Sequence, residues 1–141
     1  MKKIILIILL LTFLLTSNGV TFSRELKINK ITFEGNENID CKEIMKVIET
    51  NIGDKQDMPK IKKDMQGIMD MGYFKEVKAS LKPYKDGVEV IFKLVENPVI
   101  NEINITGNEV YKKEEIINVF GIHKGEVLNF KKIKNIMVCL C

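Results

Sequence analysis

Between Leu26 and Glu96 the spacing of apolar residues switches from every second position to every third and fourth, and then back again. Leu26 and Ile28 alternate with polar residues, and so do Ile31 and Phe33, but the two pairs are out of phase. That slip predicts a strand with a bulge or a late start near Lys30. Glu34-Gly35-Asn36 ends it, because glycine takes positive φ at little cost. Asp40 is placed to cap a helix, with Glu43 three residues on to complete a capping box. Ile44, Val47 and Ile48 form its apolar stripe, and Gly53 marks its end. Asp57 caps a second helix that tolerates Pro59 in its first turn and carries Ile61, Met65, Ile68 and Met69 on one face.

After Gly72-Tyr73-Phe74 the period returns to two. Val77, Ala79 and Leu81 alternate with Lys78 and Ser80, and Asp86-Gly87 signals a hairpin into Val88, Val90, Phe92 and Leu94. Ile91 and Val95 make the other face of this return strand apolar enough for a central position, and Asn97-Pro98 ends the ladder as a short linker. The expectation is an α+β fold of order β-α-α-β-β: a three-stranded mixed sheet covered on one face by two helices. A core of this size is thin, and a stability of only a few kcal/mol is expected.

The pattern then begins again. A shift of 72 residues lays Ile28 on Ile100, Ile31 on Ile103, Gly35 on Gly107, Asn36 on Asn108, Glu43 on Glu115, Gly53 on Gly125 and Ile61 on Ile133, without a gap. Such a register defines a repeating unit. On this reading residues 24–96 are a first unit, and 97–141 a second that has a first strand and two helices but no hairpin. Its Gly-Tyr-Phe would fall near 144 to 146, so the second copy reads as truncated, with Ile103, Ile105, Ile116 and Val119 partly uncovered. Val138-Cys139-Leu140-Cys141 does not read as a continuing helix.

Residues 1–23 read as an export signal: Lys2 and Lys3, an apolar run from Ile4 to Leu15, then small and polar residues, with cleavage after Gly19 or Ser23. Of 22 Lys and Arg, these two lie in the leader, so 20 basic residues face 19 acidic ones in the rest, a net of +1. A balance so even lacks the basic surplus of nucleic-acid binders, and no nucleic-acid partner is expected. The three cysteines, Cys41, Cys139 and Cys141, have no paired spacing; a half-buried Cys41 and an incidental tail are expected, with neither disulfide framework nor metal site. His123, the only histidine, has no nucleophile placed beside it, and no phosphate-cradling loop is present. The chain is not expected to be an enzyme or to hold a cofactor or metal.

Ile31-x-Phe33-x-Gly35-Asn36, Gly53-Asp54, Gly72-Tyr73-Phe74-x-x-Val77 and Asp86-Gly87 before Val88-x-Val90-x-Phe92 together resemble a polypeptide-transport-associated (POTRA) domain over residues 25–96. The structural motif is carried by Gly35, Asn36, Gly53, Gly72, Tyr73 and Phe74, and again by Gly107 and Asn108. Tandem units of this kind behind an export signal resemble the periplasmic arm of outer-membrane β-barrel assembly proteins. The resemblance implies an N-terminal fragment of such a protein: a scaffold that binds unfolded outer-membrane proteins by strand addition and docks assembly lipoproteins. It would be tied to the outer membrane only through a barrel that this chain lacks. The arm of two-partner secretion transporters and a non-binding spacer are the alternatives. Strand addition needs an edge with unpaired amides and carbonyls. The expected edge is Phe74, Lys75, Glu76, Val77, Lys78, Ala79, Ser80 and Leu81, with Lys75, Glu76, Lys78 and Ser80 facing outward.

Overall fold

The computed structural model describes residues 25–107 and 110–139. The expected leader, Asn108 and Cys141 lie outside the described residues. Strand β1 (Ile28–Glu34) is followed by helices α1 (Cys41–Met45) and α2 (Met58–Asp70) and by the hairpin β2 (Phe74–Tyr84) and β3 (Gly87–Glu96). The strands lie in the order β1-β3-β2, with β3 parallel to β1 and antiparallel to β2. The α+β architecture and the central place of the last strand are as the alternation predicts. So is the slip in phase, which appears as a register shift between Ile28 and Lys30.

The helices bury one face of this sheet. Ile44, Ile61 and Ile68 meet Val88, Val90, Phe92 and Leu94 from β3 and Phe74 and Val77 from β2 in a single core. Phe33 stacks on Phe92 with ring centroids 5.7 Å apart. The opposite face is mixed: Ile91 is buried there, while Glu89 accepts from the Thr32 hydroxyl at 2.6 Å and pairs with Lys30 at 2.9 Å. Helix α2 forms as expected, with the Asp57 carboxylate accepting from Lys60 N and Pro59 in its first turn.

Helix α1 is shorter than its apolar stripe suggests. It stops at Met45, where the amides of Lys46 and Val47 fold back to Glu43 and Ile44 in tight i→i−3 bonds. Val47 is exposed, and Gly53 sits in a separate turn at φ 98° instead of ending the helix. The cause is Asp64 on α2, which is 1% exposed. Its two carboxylate oxygens accept from the amides of Glu49 and Thr50 at 2.7 and 3.2 Å, and so draw this segment off the helical path. The capping box is also incomplete: Asp40 caps the helix through Lys42 N, but Glu43 pairs with Lys46.

Three smaller expectations change. The hairpin turn consists of Lys85 and Asp86, with Lys85 at φ 54°, while Gly87 already belongs to β3. A Cβ on Gly87 would stand 2.2 Å from Lys27 O, so this glycine is needed for the close approach of β1 and not for turn geometry. Cys41 is exposed instead of half-buried, and its sulfur accepts from Asn36 Nδ2 at 3.2 Å.

The second unit repeats the first at the level of single hydrogen bonds. Ile28 N to Asp54 O and Ile100 N to Glu126 O are both 2.8 Å; Gly53 N to Ile28 O and Gly125 N to Ile100 O are also both 2.8 Å. The isolated bridge Lys27–Lys55 returns as Val99–Val127. Helices α3 (Lys113–Phe120) and α4 (Phe130–Cys139) occupy the expected places, and α4 does run on to Cys139. The segment expected to be the first strand of this unit is not a strand: beyond Val99, residues 100–107 join no sheet among the described residues. A strand needs a neighbour for its amides and carbonyls, and among the described residues of this unit none forms a strand like β3. Val119 is 72% exposed, as the uncovered stripe predicts.

Removing the Asp64 carboxylate leaves two amides, that of Thr50 buried and that of Glu49 partly so, without their acceptor. Asp64→Ala should lower the unfolding free energy by about 1–3 kcal/mol, read from urea denaturation of the chain with the slope unchanged. A loss below about 0.5 kcal/mol, the usual range of a surface substitution, would show that the 46–50 segment is held by other contacts.

Candidate functional site

A three-stranded sheet has two edges, and their chemistry differs. β2 is 11 residues long, and the only strand that pairs with it among the described residues is β3. Alternate residues of an antiparallel strand direct N–H and C=O away from their partner, so the far side of β2 offers a row of unpaired groups. β1 has seven residues, and its start is already taken: Ile28 donates to Asp54 O and accepts from Gly53 N. β2 is therefore the longer and freer edge.

The eight residues singled out in the sequence lie on β2. Phe74 and Val77 are buried in the core, while Lys75, Glu76 and Lys78 are exposed. Glu76 and Lys78 pair with each other at 2.6 Å. Ala79, Ser80 and Leu81 are half-buried, and the Ser80 hydroxyl is buried without a partner among the described residues, so Ser80 is less outward than expected. A register shift between Phe74 and Glu76 bends the start of the strand, and Pro83 sits near its far end. Proline in a sheet is confined to such edges.

The edge begins beside a joint that the sequence reading missed. Gly72 adopts φ 82° and turns its carbonyl toward the second unit, where it accepts from Phe130 N at 3.2 Å and from Asn97 Nδ2 at 3.0 Å. Asn97 Nδ2 also donates to Leu128 O at 2.9 Å. Asn129 Nδ2 donates to Met71 O, and Lys131 Nζ to Asp70 O, both at 2.9 Å. Asn97 and Asn129 are 4% and 6% exposed. Thus Asn97-Pro98 is not a loose linker, and Gly72 does more than end a helix. A Cβ on Gly72 would lie 2.4 Å from Asn129 Oδ1. The one available signal was the asparagine at the cap position of α4 where the first unit has Asp57.

On the other side of the joint, Glu96 at the end of β3 holds the loop after β1. Its carboxylate accepts from the amides of Asn38 and Ile39 at 3.0 and 2.9 Å and from Asn38 Nδ2 at 2.8 Å. Partial burial works to raise its pKa, but the Asn38 side chain and these backbone donors outweigh it and hold the group below the ordinary glutamate value. No group of His, Cys, Asp and Glu suited to a metal ion occurs among the described residues. No helix there is long and apolar enough to cross a membrane.

Residues 26–97 and again 98–138 match the POTRA family, described as surface antigen variable number repeat. The chain is 30% identical over 101 residues to the outer membrane protein assembly factor BamA of Nitratidesulfovibrio vulgaris; the match takes in 72% of this chain and 13% of that protein. Two solved structures share the fold. The N-terminal domain of Omp85 from Thermosynechococcus elongatus matches 82% of this chain and 49% of its own at a TM-score of 0.66 and 22% identity. POTRA domains 1 and 2 of the periplasmic domain of Omp85 from Anabaena match 82% and 76% at 0.61 and 21%.

The lowered pKa of Glu96 fixes the sign of its pH effect. A folded-state value below the unfolded one adds stability that is complete above about pH 4.5 and is lost as pH falls through the folded value. The acid-induced loss of stability should therefore be smaller in Glu96→Gln than in the unaltered chain. Parallel curves between about pH 6 and about pH 3, which bracket the carboxylate range, would show that Glu96 does not titrate with folding.

Proposed function

The chain belongs to the POTRA family, and on that premise we propose that it is a periplasmic, non-catalytic polypeptide-binding arm of an outer-membrane protein assembly factor. It spans 13% of the length of the BamA it resembles, and in the full-length protein it would stand at the outer membrane, where it meets unfolded outer-membrane proteins and assembly lipoproteins. The observation that carries this reading is the β2 edge: 11 residues paired on one side only, while the rival edge is partly closed by residues 53–56. An extended client segment would lie along Phe74 to Leu81 and gain main-chain hydrogen bonds with little demand on its sequence. Strands of outer-membrane barrels suit such a site, since they alternate apolar and polar residues. The exposed pair Glu76–Lys78 would keep the edge from pairing with itself while leaving the backbone accessible.

A nine-residue peptide is about the length of one barrel strand, and it should shift the amide resonances of Phe74 to Leu81 when titrated into the labelled chain. The same peptide N-methylated at alternate amides should not, because main-chain donors are lost while the side chains stay. Shifts confined to Asn29 to Glu34 would move the site to β1. An absence of shifts at millimolar peptide would leave the arm a spacer.

A further inference from the structure

Among the described residues, every side chain that donates across the joint is replaced, one unit earlier, by a residue that cannot make that donation. Moving back 72 residues takes Asn97 to Glu25, Asn129 to Asp57 and Lys131 to Pro59. In the second unit these three donors fasten the carbonyls of Asp70, Met71 and Gly72. In the first unit the corresponding face is an open cleft of about 560 Å³, lined by Leu26, Gln56, Asp57, Met58 and Pro59 among others. Leu26 and Met58 are 36% and 44% exposed, and Lys55, the one cation lining it among the described residues, pairs with Glu25.

The replacements keep the local fold. Asp57 caps α2 through Lys60 N as Asn129 caps α4 through Lys132 N, since a cap needs only an acceptor. The amide of Asn129 has a second end, which reaches Met71 O; a carboxylate at that place would set oxygen against oxygen. Pro59 is tolerated in the first turn of α2 but offers no ammonium group. We propose that Asn97, Asn129 and Lys131 are the residues by which one unit accepts another. With Glu25, Asp57 and Pro59 in their place, the first unit is an end cap that refuses the Gly72 turn of any further unit, including that of a second copy of this chain. Head-to-tail contacts between identical repeats propagate into filaments unless one face is closed. This face is closed by chemistry while its shape stays open.

Two experiments test this. Asn129→Asp with Lys131→Pro in the full chain gives the second unit the first unit's own residues, which that fold is known to carry. Exchange of the Phe130 amide should become about tenfold faster or more. Exchange of Ile133 N, bonded within α4 to Asn129 O, should be unchanged. Unchanged protection at Phe130, or equal loss at Ile133, would overturn the assignment of these residues to the joint. The reverse variant, Glu25→Asn with Asp57→Asn and Pro59→Lys, should bind an isolated 25–96 unit, which lacks Asn97 and so leaves its Gly72 carbonyl free. That unit has its whole apolar core within residues 28–94 and is expected to fold alone. Gly72→Ala in the isolated unit should abolish the binding. Equal binding by the unaltered chain, or none by the variant, would sink the end-cap proposal.

Discussion

Everything in the first unit depends on the last strand taking the middle of the sheet. β3 carries both pairings, to β1 on one side and β2 on the other, and supplies Val88, Val90, Phe92 and Leu94 to the core. Until it is in place, β1 has no partner and the helices have no surface to cover. The second unit shows this by contrast. Its 123–128 turn forms with the same bonds as the first and its helices are present, yet residues 100–107 join no sheet among the described residues. Local signals are enough for capped helices and turns, whereas a strand requires a neighbour.

The same placement creates the two edges and makes them unequal. Because β1 enters the sheet after docking on residues 53–56, the outer side of its first residue, Ile28, is satisfied internally. β2 follows a helix and leaves through a two-residue turn, so nothing from the unit returns to cover it. An edge of this kind is a liability for a free-standing domain. The charges at Lys75, Glu76 and Lys78 limit that liability without covering the backbone, which a strand-adding scaffold needs exposed.

What was legible in the sequence follows a physical line. The phase slip between Ile28 and Ile31, the Asp57 cap and the central character of Val88–Val95 are properties of neighbouring residues, and each appears where expected. Asp64 was invisible because it sits in a helix beside Lys62 and Lys63 like any surface acid; its partners at Glu49 and Thr50 are joined to it only by the folded loop. The length of α1 was misjudged for that reason. Gly87 was assigned to turn geometry because Asp-Gly is a turn signal, while the actual demand comes from Lys27, just before β1 and distant in sequence. Asn97 was hidden by Pro98, which made the pair look like a break. The β2 edge itself was legible, but the partial closure of β1, which makes the choice between edges, was not.

The joint and the edge are also mechanically connected. Gly72 and Phe74 are two residues apart: the first is bonded to Phe130 and Asn97, and the second opens β2. The bulge between Phe74 and Glu76 lies at this end, so the direction in which the edge leaves the joint is set by a short, heavily bonded turn. On the proposed reading, a client strand laid along β2 would lie between the second unit and the Lys85–Asp86 turn, held by main-chain contacts. If the edge captures clients as proposed, the hydrogen bonds that tie this turn to the second unit would hold it in place before capture and so reduce the ordering cost.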